Sequence, residues 1–137
     1  MKTQVAFASI VVALMSVAGC GRAGENAAHE VLHAIDQGKI TGTKGNMETL
    51  ARALQASSLD RGGFPSGGSI DQATSVLVPT YLPGAVTTDA WGNTLLYQSD
   101  GRSFTLTSPG ADGRAGSADD VVMTDGQFTQ LPAPGGG

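Results

Sequence analysis

Apolar residues recur along this chain in three different rhythms, and each rhythm predicts a different kind of element. Behind Lys2, the stretch from Val5 to Ala18 is almost continuously apolar, and the chain turns polar at Gly21-Arg22-Ala23-Gly24-Glu25-Asn26. From Ala27 to Gln37 the apolar positions Ala28, Val31, Leu32 and Ile35 fall at helical spacing. Met47, Leu50, Ala51 and Leu54 form a second stripe of the same period, with Asn46 placed as an N-cap. Gly38, Gly42 and Gly45 lie between the stripes, each costing a helix up to about 1 kcal/mol relative to alanine. The pattern therefore fits two helices or one long kinked one. Ser57-Ser58 through Gly63 end the helical pattern, and Pro65 forbids its continuation. Ser69 is placed to cap a short helix over Ile70–Val78, which Pro79 stops.

Beyond Trp91 the period changes to two. Thr94–Gln98 and Ser103–Thr107 flank Asp100-Gly101, a strong two-residue hairpin signal. Phe104 and Leu106 alternate with Ser103, Thr105 and Thr107, so one face is dry and the other wet. Val121–Thr124 can return as a third strand. The expected fold class is α+β: an N-terminal helix packed on a small three-stranded antiparallel sheet, with the helical stripe against the Phe104/Leu106 face. Aromatic residues are only 5% of the chain, so Trp91, Tyr81, Leu82 and Tyr97 are expected as core or core-edge anchors rather than a ligand-binding box. The Pro/Gly-rich end, Leu131 to Gly137, offers nothing to pack. This places the folded domain at 27–126 and a flexible tail at 127–137.

The chain's beginning reads as a secretory leader. A basic start, an apolar run and small residues before a cut describe a signal peptide, and Val5–Ala18 is shorter than the roughly twenty residues that span a bilayer. Val17-Ala18-Gly19-Cys20 resembles the lipobox of bacterial lipoproteins. Residues 1–19 are then the leader, Cys20 the lipidation site and anchor, and 20–26 a tether. Cys20 is the sole cysteine, so it can form no internal disulfide. Gly21, rather than Asp, after that cysteine favours outer-membrane sorting in a cell with two membranes.

Charge narrows the partners. The formal net charge is −4, and the excess lies in the C-terminal half. There Asp89, Asp100, Asp112, Asp119, Asp120 and Asp125 face only Arg102 and Arg114. No basic stripe and no stacking platform is present, which argues against nucleic acid.

The densest chemistry is Ser108-Pro-Gly-Ala-Asp-Gly-Arg-Ala-Gly-Ser-Ala-Asp-Asp120. It places Asp112, Asp119 and Asp120 on a loop punctuated by Gly110, Gly113 and Gly116, with Arg114 its only cation. A hard cation such as calcium takes six to eight oxygens, and glycine permits the backbone turns that aim carbonyls inward. The competing reading is an ordinary Asp/Gly turn whose carboxylates bond their own backbone. The spacing is not that of an EF-hand.

Several segments resemble, in order, the globular domain of the type II secretion major pseudopilin. They are the helix through Met47–Leu54, Asp60-Arg61-Gly62-Gly63-Phe64-Pro65, Pro79-Thr80-Tyr81-Leu82, Asp89-Ala90-Trp91-Gly92-Asn93 and the 108–120 loop. The resemblance covers roughly residues 39–125 and implies a pilin-like fold with one long helix. It also implies a calcium ion held by Asp112, Asp119 and Asp120 with the backbone carbonyls of Leu106 and Ser117. The implied role is structural or accessory, in a secretion-system or pilus-like assembly, and not enzymatic. The leader departs from the family, whose members keep an apolar N-terminal helix through which filaments pack. A lipid on Cys20 anchors the chain but cannot substitute for that helix in a bundle, so an accessory role is expected at least as much as a filament subunit.

One motif points to another class. His29-Glu30-Val31-Leu32-His33 is a literal H-E-x-x-H on a helix, the spacing that zinc peptidases use. A small zinc metallopeptidase is therefore the alternative. Its context is poor: no further histidine exists, and Glu48 is the only downstream glutamate. Nucleophile elbows and phosphate-binding loops are absent.

Overall fold

The computed structural model describes residues 20–133, with side chains from residue 27 onward. Helix α1 runs unbroken over Cys20–Arg61. The two stripes thus belong to one helix, and the segment 20–26, expected as a tether, forms its first turns. Asn46 lies inside the helix rather than capping it. Gly42 faces Ala90, where an added Cβ would be in ordinary contact at 3.7 Å, while Gly38 and Gly45 face open space. What carries α1 past Gly45 is packing in its second half. Thr43, Met47, Leu50, Ala51, Ala53, Leu54 and Ser57 are all buried, and each large apolar side chain removed from water contributes about 2 kcal/mol, more than a helical glycine costs. The helix stops at Gly62, whose φ of 79° and amide bond to the Ser58 carbonyl (2.8 Å) form a left-handed C-terminal cap.

Helix α2 covers Ile70–Leu77 and buries Ile70, Ala73 and Leu77. Four strands follow: β1 (Leu96–Ser99), β2 (Phe104–Ser108), β3 (Val121–Thr124) and β4 (Gln127–Gln130). They form one antiparallel sheet in the order β1-β2-β3-β4. The alternation expected of Phe104 and Leu106 holds. With Tyr97, Val121 and Met123 they give the sheet a dry face, buried against Met47, Leu50 and Leu54 of α1 and the apolar side of α2. Phe64 lies edge-on against Phe104 with ring centroids 4.8 Å apart, and the Tyr97 hydroxyl donates to the Pro65 carbonyl at 2.6 Å. These contacts fix the α1–α2 connection to the sheet.

The fourth strand corrects the expected three-stranded sheet and the tail boundary at residue 127. Asp125 (φ 51°) and Gly126 (φ 87°) form the tight β3–β4 turn. Both angles are positive, as the hairpin turn favoured by Asp-Gly requires. Half-buried Phe128 packs on the core edge, with the Lys44 ammonium 5.0 Å from its ring centroid. Residues 134–137 lie outside the described residues, as does the proposed leader 1–19. Among the described residues no helix is long and apolar enough to cross a membrane.

Candidate metal centre

The 108–120 loop joins β2 to β3, and its root is built before its tip. Ser108 pairs with Val121 across the two strands and closes the base. The Ser108 hydroxyl donates to Asp89 Oδ2 at 2.6 Å. Asp89 is 5% exposed, and its other oxygen accepts the amides of Trp91 (3.0 Å) and Asn93 (2.8 Å). Asn93 in turn donates from Nδ2 to the Gly110 carbonyl at 2.7 Å. The amide of Ala90 donates to the buried Thr43 hydroxyl of α1 at 3.1 Å. The Asp89–Asn93 turn, closed by the Asp89 carboxylate, therefore ties helix, strand end and loop together. Sequence reasoning passed over Asp89. Its signal was an Asp two residues before Trp91 and four before Asn93, the spacing of a side chain that closes its own turn. Trp91 itself is half-buried, and its indole Nε1 is buried without a partner among the described residues.

Gly110 marks the point of closest approach. Its φ is 66°, and a Cβ there would lie 2.6 Å from Asp119 Oδ2 and closer still to the Asp119 carbonyl. No side chain fits.

Asp112, Asp119 and Asp120 all approach one hydroxyl. Ser117 Oγ lies 3.4 Å from Asp112 Oδ1 and 3.1 Å from Asp120 Oδ1, and is hydrogen-bonded to Asp119 Oδ1. Backbone amides set the carboxylates' orientations. Asp112 N donates to Asp119 Oδ2 (3.0 Å), Arg114 N to Asp112 Oδ1 (2.8 Å) and Gly116 N to Asp120 Oδ2 (2.6 Å). Asp119 and Asp120 thus each have one oxygen held by an amide and the other turned to Ser117. Burial pushes the Asp119 carboxyl up, but the Ser117 hydroxyl and the amides of Asp112, Asp119 and Ala111 outweigh it and hold it below the usual carboxylate range. The single ion pair among the described residues is Arg52 to Glu48, so Arg114 neutralises none of the three. Asp120 is only 2% exposed.

The two expected carbonyl donors fare differently. The Ser117 carbonyl belongs to the cluster's edge and accepts from Gln130 Nε2 of β4 at 2.8 Å. Leu106 is a ladder residue inside β2, paired with Tyr97 and Met123, and it takes no part in the cluster's hydrogen bonds. A central antiparallel strand aims each carbonyl at a neighbouring strand, which is why Leu106 stays with the sheet.

Elsewhere, His29, Glu30 and His33 are all exposed on the first half of α1. Among the described residues no three His, Cys, Asp or Glu side chains are gathered to hold an ion by themselves. The zinc peptidase reading finds no third ligand among the described residues, and the aspartate loop would need Ser117 and backbone oxygens as well. Cys20 is the first residue of α1, and its side chain lies outside those described.

The family model for the type II secretion system (T2SS), protein G, matches residues 30–124. The chain is similar to the type II secretion system core protein G of Xanthomonas campestris pv. campestris, at 34% identity over 99 residues, 64% of this chain and 66% of that protein. It is similar to the protein of the same name from Pseudomonas aeruginosa, at 33% identity over 105 residues, 66% of this chain and 72% of that one. It thus spans about two thirds of the length of these curated relatives. No solved structure matches it. The matched region takes in most of α1, all of α2, β1–β3 and the whole aspartate loop with its Asp89 root. That coverage settles the matter: the chain belongs to the type II secretion system protein G family, whose members are structural components and not enzymes.

Proposed function

We propose that this chain is a calcium-stabilised, lipid-anchored structural or accessory component of a type II secretion or related pilus-like assembly at the cell envelope. The observation that carries the calcium reading is the convergence on Ser117. A hydroxyl has one proton and can satisfy one carboxylate oxygen, yet oxygens of Asp112, Asp119 and Asp120 all face it. Two of those approaches set oxygen lone pairs against one another. A hard divalent cation relieves that repulsion and supplies countercharge to Asp120, which burial otherwise penalises. All the donors present are oxygens, the set calcium prefers and zinc does not. Asp112, Asp119, Asp120 and the remaining lone pair of the Ser117 carbonyl are the groups that would hold it. Bound there, the ion supplies no chemistry beyond charge and cross-linking. It would fasten the β2–β3 connection onto the Asp89 turn and stiffen one end of the sheet.

Anchoring rests on Val17-Ala18-Gly19-Cys20 and the apolar run before it, and association with secretion components rests on family membership.

Thermal unfolding with calcium or with a chelator tests the ion. Extracellular calcium modules bind at about 10⁻⁴–10⁻³ M, so 1 mM calcium adds roughly 0.4–1.4 kcal/mol. Asp112→Ala should remove that gain. A wild-type melting temperature that ignores calcium would overturn the reading. For the anchor, Cys20→Ser should move the protein from the membrane to the soluble fraction. Membrane retention with an unmodified Cys20 by mass spectrometry would refute it.

A further inference from the structure

The family role leaves one motif unused. His29 and His33 lie on α1 in a stretch where Ala27 to Ile35 are all exposed, and Val31 and Leu32 are each 58% exposed. Among the described residues no other element covers residues 27–35, and full burial begins at Thr43. Its helicity therefore depends on local terms alone, which are marginal for a segment of this length in water. Gly38 and Gly42 separate it from the packed half and weaken the coupling between them.

We propose that His29 and His33 form a binding site for a borderline divalent transition metal of the zinc class, which clips the unsupported half of α1. Residues four apart share one helical face, with Cβ atoms about 5–6 Å apart, so two imidazoles can meet one ion. Zinc and nickel accept imidazole nitrogen, whereas calcium prefers oxygen, so the site is chemically distinct from the aspartate loop. Both rings are exposed and so accessible to an ion. Asp36 follows one turn beyond His33 and adds negative charge near the same face. Water completes the coordination, so the ion is held by two ligands and its role is to brace the helix, not to catalyse. Bridging one turn fixes the backbone between the rings, and the bound form must be helical. Metal binding is thereby coupled to helix order.

Amide hydrogen exchange on the full chain, with ZnCl₂ as the probe, tests this. At zinc tenfold above its Kd, exchange of residues 27–37 should slow about tenfold, while the sheet amides do not change. CaCl₂ should leave residues 27–37 unaffected. His33→Ala should abolish the slowing and Glu30→Gln should preserve it. A double variant, His33→Ala with Ala34→His, keeps two imidazoles but sets them about 140° apart around the helix, and it should lose the effect too. Zinc that slows nothing, or that slows either His33 variant as well as the parent, overturns the site.

Discussion

Two aspartate turns flank β2, and they use their carboxylates in different ways. At the β1–β2 turn, Asp100 Oδ1 accepts the amides of Arg102 (2.9 Å) and Ser103 (2.8 Å), with the Ser103 hydroxyl at 3.3 Å. One acceptor meets several donors, and the turn is self-contained. In the 108–120 loop donors are scarcer, since each of three carboxylates has one amide and all three share the single Ser117 proton. The two segments draw on the same residue types, Asp, Gly and Ser. What separates the two turns is the ratio of donors to acceptors, and that ratio becomes visible only once the chain is folded.

The largest test concerns the root that holds the second loop in place. Asp89→Ala removes a buried carboxylate that accepts from Ser108, Trp91 and Asn93 and leaves those donors short of a partner. A loss of roughly 3 kcal/mol is expected in urea unfolding. It should appear with or without calcium, because none of these bonds involves the ion. A loss below about 1 kcal/mol would mean that the loop is positioned by something other than this aspartate.

A paired glycine experiment sharpens the contrast. Gly110 and Gly101 both have positive φ (66° and 91°), so alanine at either should cost about 1–2 kcal/mol of backbone strain. Their surroundings differ. A Cβ at Gly101 meets the movable Ser66 hydroxyl at 3.0 Å, while at Gly110 it strikes the Asp119 backbone and carboxylate. Gly110→Ala should therefore cost the more and also erase the calcium-dependent rise in melting temperature. Gly101→Ala should leave that rise intact. Equal calcium responses in the two variants would remove the distinction between the turns.

Much of this architecture was legible in the sequence, and the misses have local causes. The Phe104/Leu106 alternation, the Asp100-Gly101 hairpin, α2 and the Val121–Thr124 strand were all readable, because each combines a clear period with a turn residue. Asp125-Gly126 carries the same hairpin signal as Asp100-Gly101. It went unused because Gln127-Phe128-Thr129-Gln130 has a single apolar residue, too weak an alternation to announce an edge strand beside a Pro/Gly-rich end. The unbroken α1 was obscured by Gly38, Gly42 and Gly45; tertiary burial from Thr43 onward outweighs the cost of Gly45, while Gly38 and Gly42 lie ahead of it. In the candidate site, the three aspartates could be picked out by spacing. The position of Ser117 between them and the anchoring part of Asp89 could not, since both depend on contacts set by the fold.

The smallest expected effect is the most discriminating, because it reads both turns in one experiment. Amides of Ser103 and Arg102 lower the Asp100 carboxyl below the ordinary range; at Asp119, burial acts upward but the Ser117 and backbone hydrogen bonds prevail. A carboxyl lowered by folding contributes stability above its unfolded value of about 4 and loses it as pH falls through its folded one. Calcium-free protein should thus weaken gradually below about pH 4, with both groups contributing. An ion bound at the loop as proposed would break the symmetry, since it would compete with a proton for Asp119 but not for Asp100. Following both carboxyl carbons by NMR, added calcium should move the Asp119 midpoint to still lower pH and leave Asp100 where it was. If the two midpoints move together, or neither moves, then the 108–120 loop is a turn of the same kind as the other, and its crowding around Ser117 has no ion to explain it.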